Sequence, residues 1–154
     1  MPCMSMTDVI FESESLSLEL GFLELDPNDH RSTRWSVRLS IKHSTGCFSY
    51  LATDVWFDTD VWDEFTTGLS SQEPKILRLV DMSENFRFVI ERTATCFETT
   101  IQVHEPIISQ GAIRLETHLR SDLDGPLLRS LGDAFAACPK FWYVMSCHCE
   151  SPPE

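Results

Sequence analysis

The chain has only three lysines, Lys42, Lys75 and Lys140, and twelve basic residues in all against twenty-four acids. Its formal net charge is −12. A surface so short of cations is repelled by nucleic-acid phosphates and by anionic lipid headgroups, so binding to DNA, RNA or a membrane surface is not expected. Long apolar runs are lacking too, and none approaches the roughly 20 residues that span a bilayer. The opening MPCMSMTDVIFES has neither the basic start nor the apolar core of a secretory signal. The expected location is therefore the cytoplasm.

Cysteine pairs at metal or redox spacing are also missing. Cys3, Cys47, Cys96, Cys138, Cys147 and Cys149 are scattered, with no CxxC among them. Reduced thiols are expected, because a chain of 154 residues does not need disulfide staples to hold a core. The nearest approach to a soft metal cluster is Cys147-His148-Cys149 with Cys138. Zinc ligands usually come in pairs separated by a few residues, so that the chain can wrap a tetrahedron. A terminal triplet does not meet that need, and no metal is expected.

No glycine-rich phosphate loop, Gly-x-Ser-x-Gly elbow or His-Glu-x-x-His helix is present. Neither a cofactor nor an enzymatic activity is expected. His30, His43, His104 and His118 fall at turns or on the outward phase of strands, which reads as solvated surface.

What the sequence has in quantity is alternation. Leu16, Leu18, Leu20 and Phe22 share one phase, which slips beside Gly21 to Leu23 and Leu25, as a β-bulge would produce. Trp35, Val37, Leu39 and Ile41 alternate with polar residues, and after Ser44-Thr45-Gly46 the run Cys47 to Phe57 returns, which predicts a hairpin. Further strands are read at Asp8 to Glu12, Lys75 to Asp81, from Phe86, from Phe97 and from Ile113, with a loop over Glu105 to Gly111. Pro126 opens a second helix whose apolar face is Leu127, Leu128, Leu131, Ala134 and Phe135, and Pro139 stops it. The expected class is α+β: an antiparallel curved sheet or split β-sandwich of seven to eight strands with two short helices. One domain is expected over residues 8–141, with 1–7 and 142–154 as flexible ends.

The period changes between Thr53 and Leu69. Asp54, Asp58, Asp60, Asp63 and Glu64 occur there with no base among them, interleaved with Val55, Trp56, Phe57, Val61, Trp62 and Phe65. Asp58, Thr59 and Asp60 all suit a helix N-cap, and acids in a first turn suit the helix dipole. Val61, Phe65 and Leu69 then make one stripe of a helix about three turns long. The spacing does not fit a calcium loop, which needs a glycine at its sixth position and a terminal glutamate. A capped, solvated helix face is one reading of the acids. The other is a protein-binding surface made of Asp54, Trp56, Asp58, Asp60, Trp62, Asp63 and Glu64, where acids and tryptophan meet a basic partner. Trp62 equally suits the core.

Three further features carry a resemblance: Trp62-Asp63-Glu64-Phe65 running to Leu69, the Leu79 to Phe88 hairpin, and the closing LLRSLGDAFAACPKFW. With the β-rich start, they resemble the WapI-type immunity proteins and related small β-rich domains of bacterial polymorphic-toxin systems. The resemblance lies in the pattern and order of elements from about Leu16 to Phe141. It implies an intracellular antidote that binds and blocks a cognate toxin domain, and a basic toxin would suit the acidic surface. A non-toxin interaction domain stays open. So does a small-ligand binder with a pocket lined by Trp35, Tyr50 and Phe88. The sequence leaves the oligomeric state open.

Overall fold

The computed structural model describes residues 8–71, 73, 75–107, 111–122, 126–140 and 142–143. It has two four-stranded antiparallel sheets, neither closed, and two helices. The first sheet is a meander of β1 (Asp8–Glu12), β2 (Leu16–Leu25), β3 (Ser32–His43) and β4 (Gly46–Asp58). Helix α1 (Thr59–Ser70) leads to the second meander, β5 (Lys75–Val80), β6 (Phe86–Arg92), β7 (Cys96–Ile107) and β8 (Gly111–Asp122). Helix α2 (Pro126–Ala137) follows. The α+β class and the strand count agree with the sequence reading, in its split form.

Alternation explains the sheets. Leu16, Leu18 and Leu20 of β2, Trp35, Val37 and Leu39 of β3, and Val55 and Phe57 of β4 are buried. Their sequence neighbours mostly face water, as period-two strands covered on one side require. The expected bulge is there: pairing of β2 with β3 shifts register between Phe22 and Glu24. Leu23 is the extra residue and is exposed. In the second sheet Leu77, Leu79, Phe86, Phe88, Ile90, Phe97, Ile101 and Val103 turn inward in the same way. Asp81 closes the turn between β5 and β6, its carboxylate accepting the N–H of Phe86 at 2.8 Å and of Ser83 at 3.3 Å.

Two expectations are corrected. In the segment read as a loop over Glu105 to Gly111 the described residues are strand, with β7 running to Ile107 and β8 starting at Gly111, while 108–110 lie outside the described residues. Pro106 pairs with Ala112 of β8, while β6 ends opposite Val103. Beyond Val103 β7 is thus an edge strand, where a proline leaves no ladder bond unmade. The core also reaches past the expected boundary at residue 141, because Trp142 is buried within it. The remaining expected flexible ends, 1–7 and 144–154, lie outside the described residues.

A single apolar cluster joins both sheets and both helices. Trp62 is its hub. Its ring stacks on Trp35 of the first sheet at 4.1 Å and 12°, and it also meets Phe57 at 5.8 Å. On the other side it packs against Phe135 of α2 at 5.3 Å and Trp142 at 6.2 Å. Phe65, one turn on, reaches Phe88 of the second sheet and Phe135. Such aromatic pairs add about 0.5–1.5 kcal/mol each beyond the area they bury. The polar atoms nearby are partly provided for: Trp35 Nε1 donates to Thr33 Oγ1 at 2.8 Å, and Thr33 Oγ1 donates to the Phe57 carbonyl at 3.1 Å. At the far end of α1, buried Arg92 donates to the Leu69 carbonyl at 3.3 Å and so caps the helix C-terminus. Burial pulls its guanidinium down from its ordinary pKa.

Candidate protein-binding surface

The acidic stretch is divided by geometry into an inward and an outward set. On β4, Val55 and Phe57 point into the core, which turns Asp54, Trp56 and Asp58 to the other face. Trp56 is half-buried there, its Nε1 donating to Asp54 Oδ1 at 2.9 Å. Asp58 is the N-cap of α1, its Oδ1 accepting the Asp60 N–H at 2.8 Å. The helix start is also tied to the β2–β3 turn, where the Thr59 N–H donates to the Arg31 carbonyl at 2.8 Å. Asp60 pairs with Arg31 at 3.2 Å, with both side chains mostly in water. Such a pair contributes at most about 1 kcal/mol.

Helical spacing then places Glu64 one turn beyond Asp60, also exposed. Glu64 borders an open groove of about 320 Å³ between α1 and β5, lined further by Val61, Phe65, Ile76, Leu77 and Val80 and by the cations Lys75 and Arg78. Ile76 is an exposed apolar residue at that groove, and Met82 is another on the turn whose N–H donates to the Trp56 carbonyl.

Two of the expected binding residues turn inward instead. Trp62 is 0% exposed and belongs to the core. Asp63 is held within the molecule: Lys140 pairs with its Oδ1 at 2.9 Å, and the Tyr143 hydroxyl donates to its Oδ2. That hydrogen bond, helped by desolvation and by the charges of Asp63 and Asp60, pushes the Tyr143 phenol above its ordinary pKa. Asp63 thereby ties α1 to the segment after α2. The outward set is Asp54, Trp56, Asp58, Asp60 and Glu64.

No family model, curated protein or solved structure matches this chain.

The histidines are now placed. His43, His104 and His118 are exposed, as expected, whereas His30 is half-buried in the β2–β3 turn with φ at 54°. A second polar constellation lies on the outer face of β7 and β8, which strand-by-strand reading did not assemble. Register sets Gln102 opposite Glu116, His104 opposite Arg114 and Thr100 opposite His118. Glu116 accepts from Gln102 at 2.7 Å and Arg114 at 2.7 Å, and bonds His118 at 2.5 Å. The His118 bond first, then those from Gln102 and Arg114, holds the Glu116 carboxyl below its ordinary pKa. An open hollow of about 210 Å³ lies beside it, lined by Glu84, Asn85, Arg87, Gln102, His104 and Arg114. Each guanidinium is answered by a carboxylate, Arg87 by Glu84 at 2.9 Å and Arg114 by Glu116 at 2.7 Å. The hollow thus offers no concentrated positive charge to an anion.

The space named for a small-ligand pocket is filled. Trp35 and Phe88 are both 0% exposed, packed against Trp62, Phe65 and Phe135. Among the described residues no group of three or more His, Cys, Asp or Glu is placed to hold a metal ion. Cys147, His148 and Cys149 lie outside those residues. Cys47 is an exposed free thiol and Cys96 a buried one, and Cys138 is buried as well. No helix among the described residues is long and apolar enough to cross a membrane.

Proposed function

We propose that the protein is a binding module rather than an enzyme, and that its β4–α1 edge engages a basic protein partner. The observation that carries this reading is the outward set: Asp54, Asp58, Asp60 and Glu64 flank half-buried Trp56, beside exposed Ile76 and Met82, and Glu64 borders a groove of mixed lining in which Lys75 and Arg78 accompany the apolar residues. Acids beside partly exposed aromatic and aliphatic side chains are the make-up of an interface in which charge steers approach and apolar contact holds the complex. The net charge of −12 extends the steering field beyond the contact itself. In its more specific form the partner is a toxin domain and this chain its antidote. The resemblance to immunity proteins and the acidity support that form.

The test uses Asp60→Lys/Glu64→Lys, which leaves the cap Asp58 and the internal pair of Asp63 intact. Wild type and variant serve as bait in the source lysate, and the captured protein is purified for association kinetics at two salt concentrations. The expected partner is basic, binds wild type more slowly at high salt, and binds the variant roughly tenfold or more slowly, as steering contributions of this kind allow. Equal rates for wild type and variant would place the interface elsewhere. The antidote form adds that the captured protein is toxic when expressed alone and harmless when co-expressed with this chain.

A further inference from the structure

Four strands form the outer edges of the two sheets: β1, β4, β5 and β8. Helix α2 packs against β1 and α1 against β5. β8 carries exposed Arg114, Glu116, His118 and Arg120 along its length. Charges of this kind and covering helices are the usual protections of a sheet edge. Among the described residues, the outer half of β4, Gly46 to Thr53, has neither. Its sequence GCFSYLAT contains no charged residue and no proline.

The hydrogen-bond alternation shows what this edge offers. Lys42 donates its N–H to the Ser15 carbonyl at 2.8 Å, so Lys42 turns its backbone groups toward β2. In an antiparallel ladder the next residues alternate, so Ile41, Leu39 and Val37 turn theirs toward β4. Their partners Phe48, Tyr50 and Ala52 are engaged by β3. Cys47, Ser49 and Leu51 therefore present their N–H and C=O groups to the open side. Phe48 and Leu51, on opposite faces of the strand, are 41% and 60% exposed.

We propose that this edge pairs antiparallel with the same edge of a second copy, joining two four-stranded sheets into one eight-stranded sheet about a two-fold axis. Charge selects this occupant. A chain at −12 repels its own copy over most of its surface, whereas Gly46 to Thr53 lets two copies approach with no like charges face to face. An antiparallel strand is also self-complementary, so one edge satisfies both partners and closes the assembly at two. On each face the exposed Phe48 or Leu51 then lies against an uncharged side chain of the other copy. The inference does not depend on the partner proposed above, since α1 and the end of β4 stay outside the paired segment.

The test is the molar mass of the full chain by light scattering or sedimentation under reducing conditions, which keep Cys47 from cross-linking. Wild type is expected at twice 17.6 kDa, falling to 17.6 kDa on dilution. Leu51→Lys sets a charge on the pairing edge, the protection that other sheet edges carry, and is expected to raise the dissociation constant at least tenfold. Ser49→Pro removes an N–H that faces outward, so it blocks pairing while leaving the β3–β4 ladder intact. Near-UV circular dichroism confirms that both variants keep the packed Trp35–Trp62 core. A wild-type chain still monomeric at concentrations on the order of 100 μM would overturn the proposal. So would variants that dimerise like wild type, or a mass above that of a dimer.

Discussion

Each helix contains one glycine, and the two should respond to Gly→Ala with opposite sign. In an open helical position the change is worth roughly 0.8–1 kcal/mol in favour of alanine, because glycine has more backbone freedom to lose. Gly132 in α2 has such a position, with nothing within 4 Å of where a Cβ would stand. Gly68 in α1 does not. A Cβ there would lie 2.2 Å from Leu77 Cδ2 and 3.3 Å from Leu77 Cδ1 and Cγ. Carbon atoms rest at about 3.5–4.0 Å, so the leucine would have to withdraw by more than an ångström. Leu77 is itself buried at 3% exposure, and forcing a packed core side chain off its place costs about 1–3 kcal/mol. The cost exceeds the propensity gain. Gly68→Ala is expected to destabilise by about 1 kcal/mol, and Gly132→Ala to stabilise by nearly as much. Urea unfolding followed by tryptophan fluorescence measures both, with an unchanged m-value showing that the shifts in midpoint are shifts in stability. Repeating Gly68→Ala in a Leu77→Ala background should remove its penalty, which a double-mutant cycle reads directly. Equal stabilisation by the two alanines would refute the close approach of α1 to β5.

Two further outcomes test the core and the network on the second sheet. Trp62→Ala removes the hub between the sheets and should cost about 3–5 kcal/mol, visible as a large loss of urea midpoint and of the near-UV signal; a loss below about 1 kcal/mol would contradict its place in the core. Glu116 is held below its ordinary pKa of 4.5 by His118, Gln102 and Arg114, so its contribution to stability is present above about pH 4.5 and fades as pH falls through the lower folded value. Glu116→Gln should therefore flatten the acid side of the melting-temperature profile, and profiles that stay parallel would show that the network carries no such linkage.

Most of the fold was legible because its signals are local. Period-two alternation marked the strands, the phase slip beside Gly21 marked the bulge, and the caps and apolar stripe marked α1 over about its true length. The Glu105 to Gly111 segment was misread because Pro106 and Gly111 are breakers in most settings. The tolerance of Pro106 comes from β6 ending opposite Val103, which only the sheet order reveals. Trp142 was placed in a tail because one aromatic residue sets no period, yet one is enough to fill a gap beside Trp62. At the candidate surface, the acids could be named from the sequence, but which of them face outward could not. Asp63 turns away because Lys140 and Tyr143, distant in the chain, reach it. The Gln102–Glu116–His118 network stayed hidden for the same reason, since it exists only in the register of β7 against β8.

The division within α1 also decides how its variants should be interpreted. Trp62 and Phe65 fix the helix to both sheets and to α2, while Asp60 and Glu64 project from the opposite side of the same few turns. Carboxylates mounted on so firmly packed a helix need little ordering when a partner arrives, which favours binding without adding any contact. A core substitution such as Trp62→Ala would then weaken binding by loosening the helix, and would do so together with the unfolding midpoint. Charge reversal at Glu64 alone touches no buried neighbour and leaves the Arg31–Asp60 pair in place, and should change association while leaving stability within about 0.5 kcal/mol. Only the second pattern locates the interface. A binding defect that always travels with lost stability would mean that α1 serves the core alone.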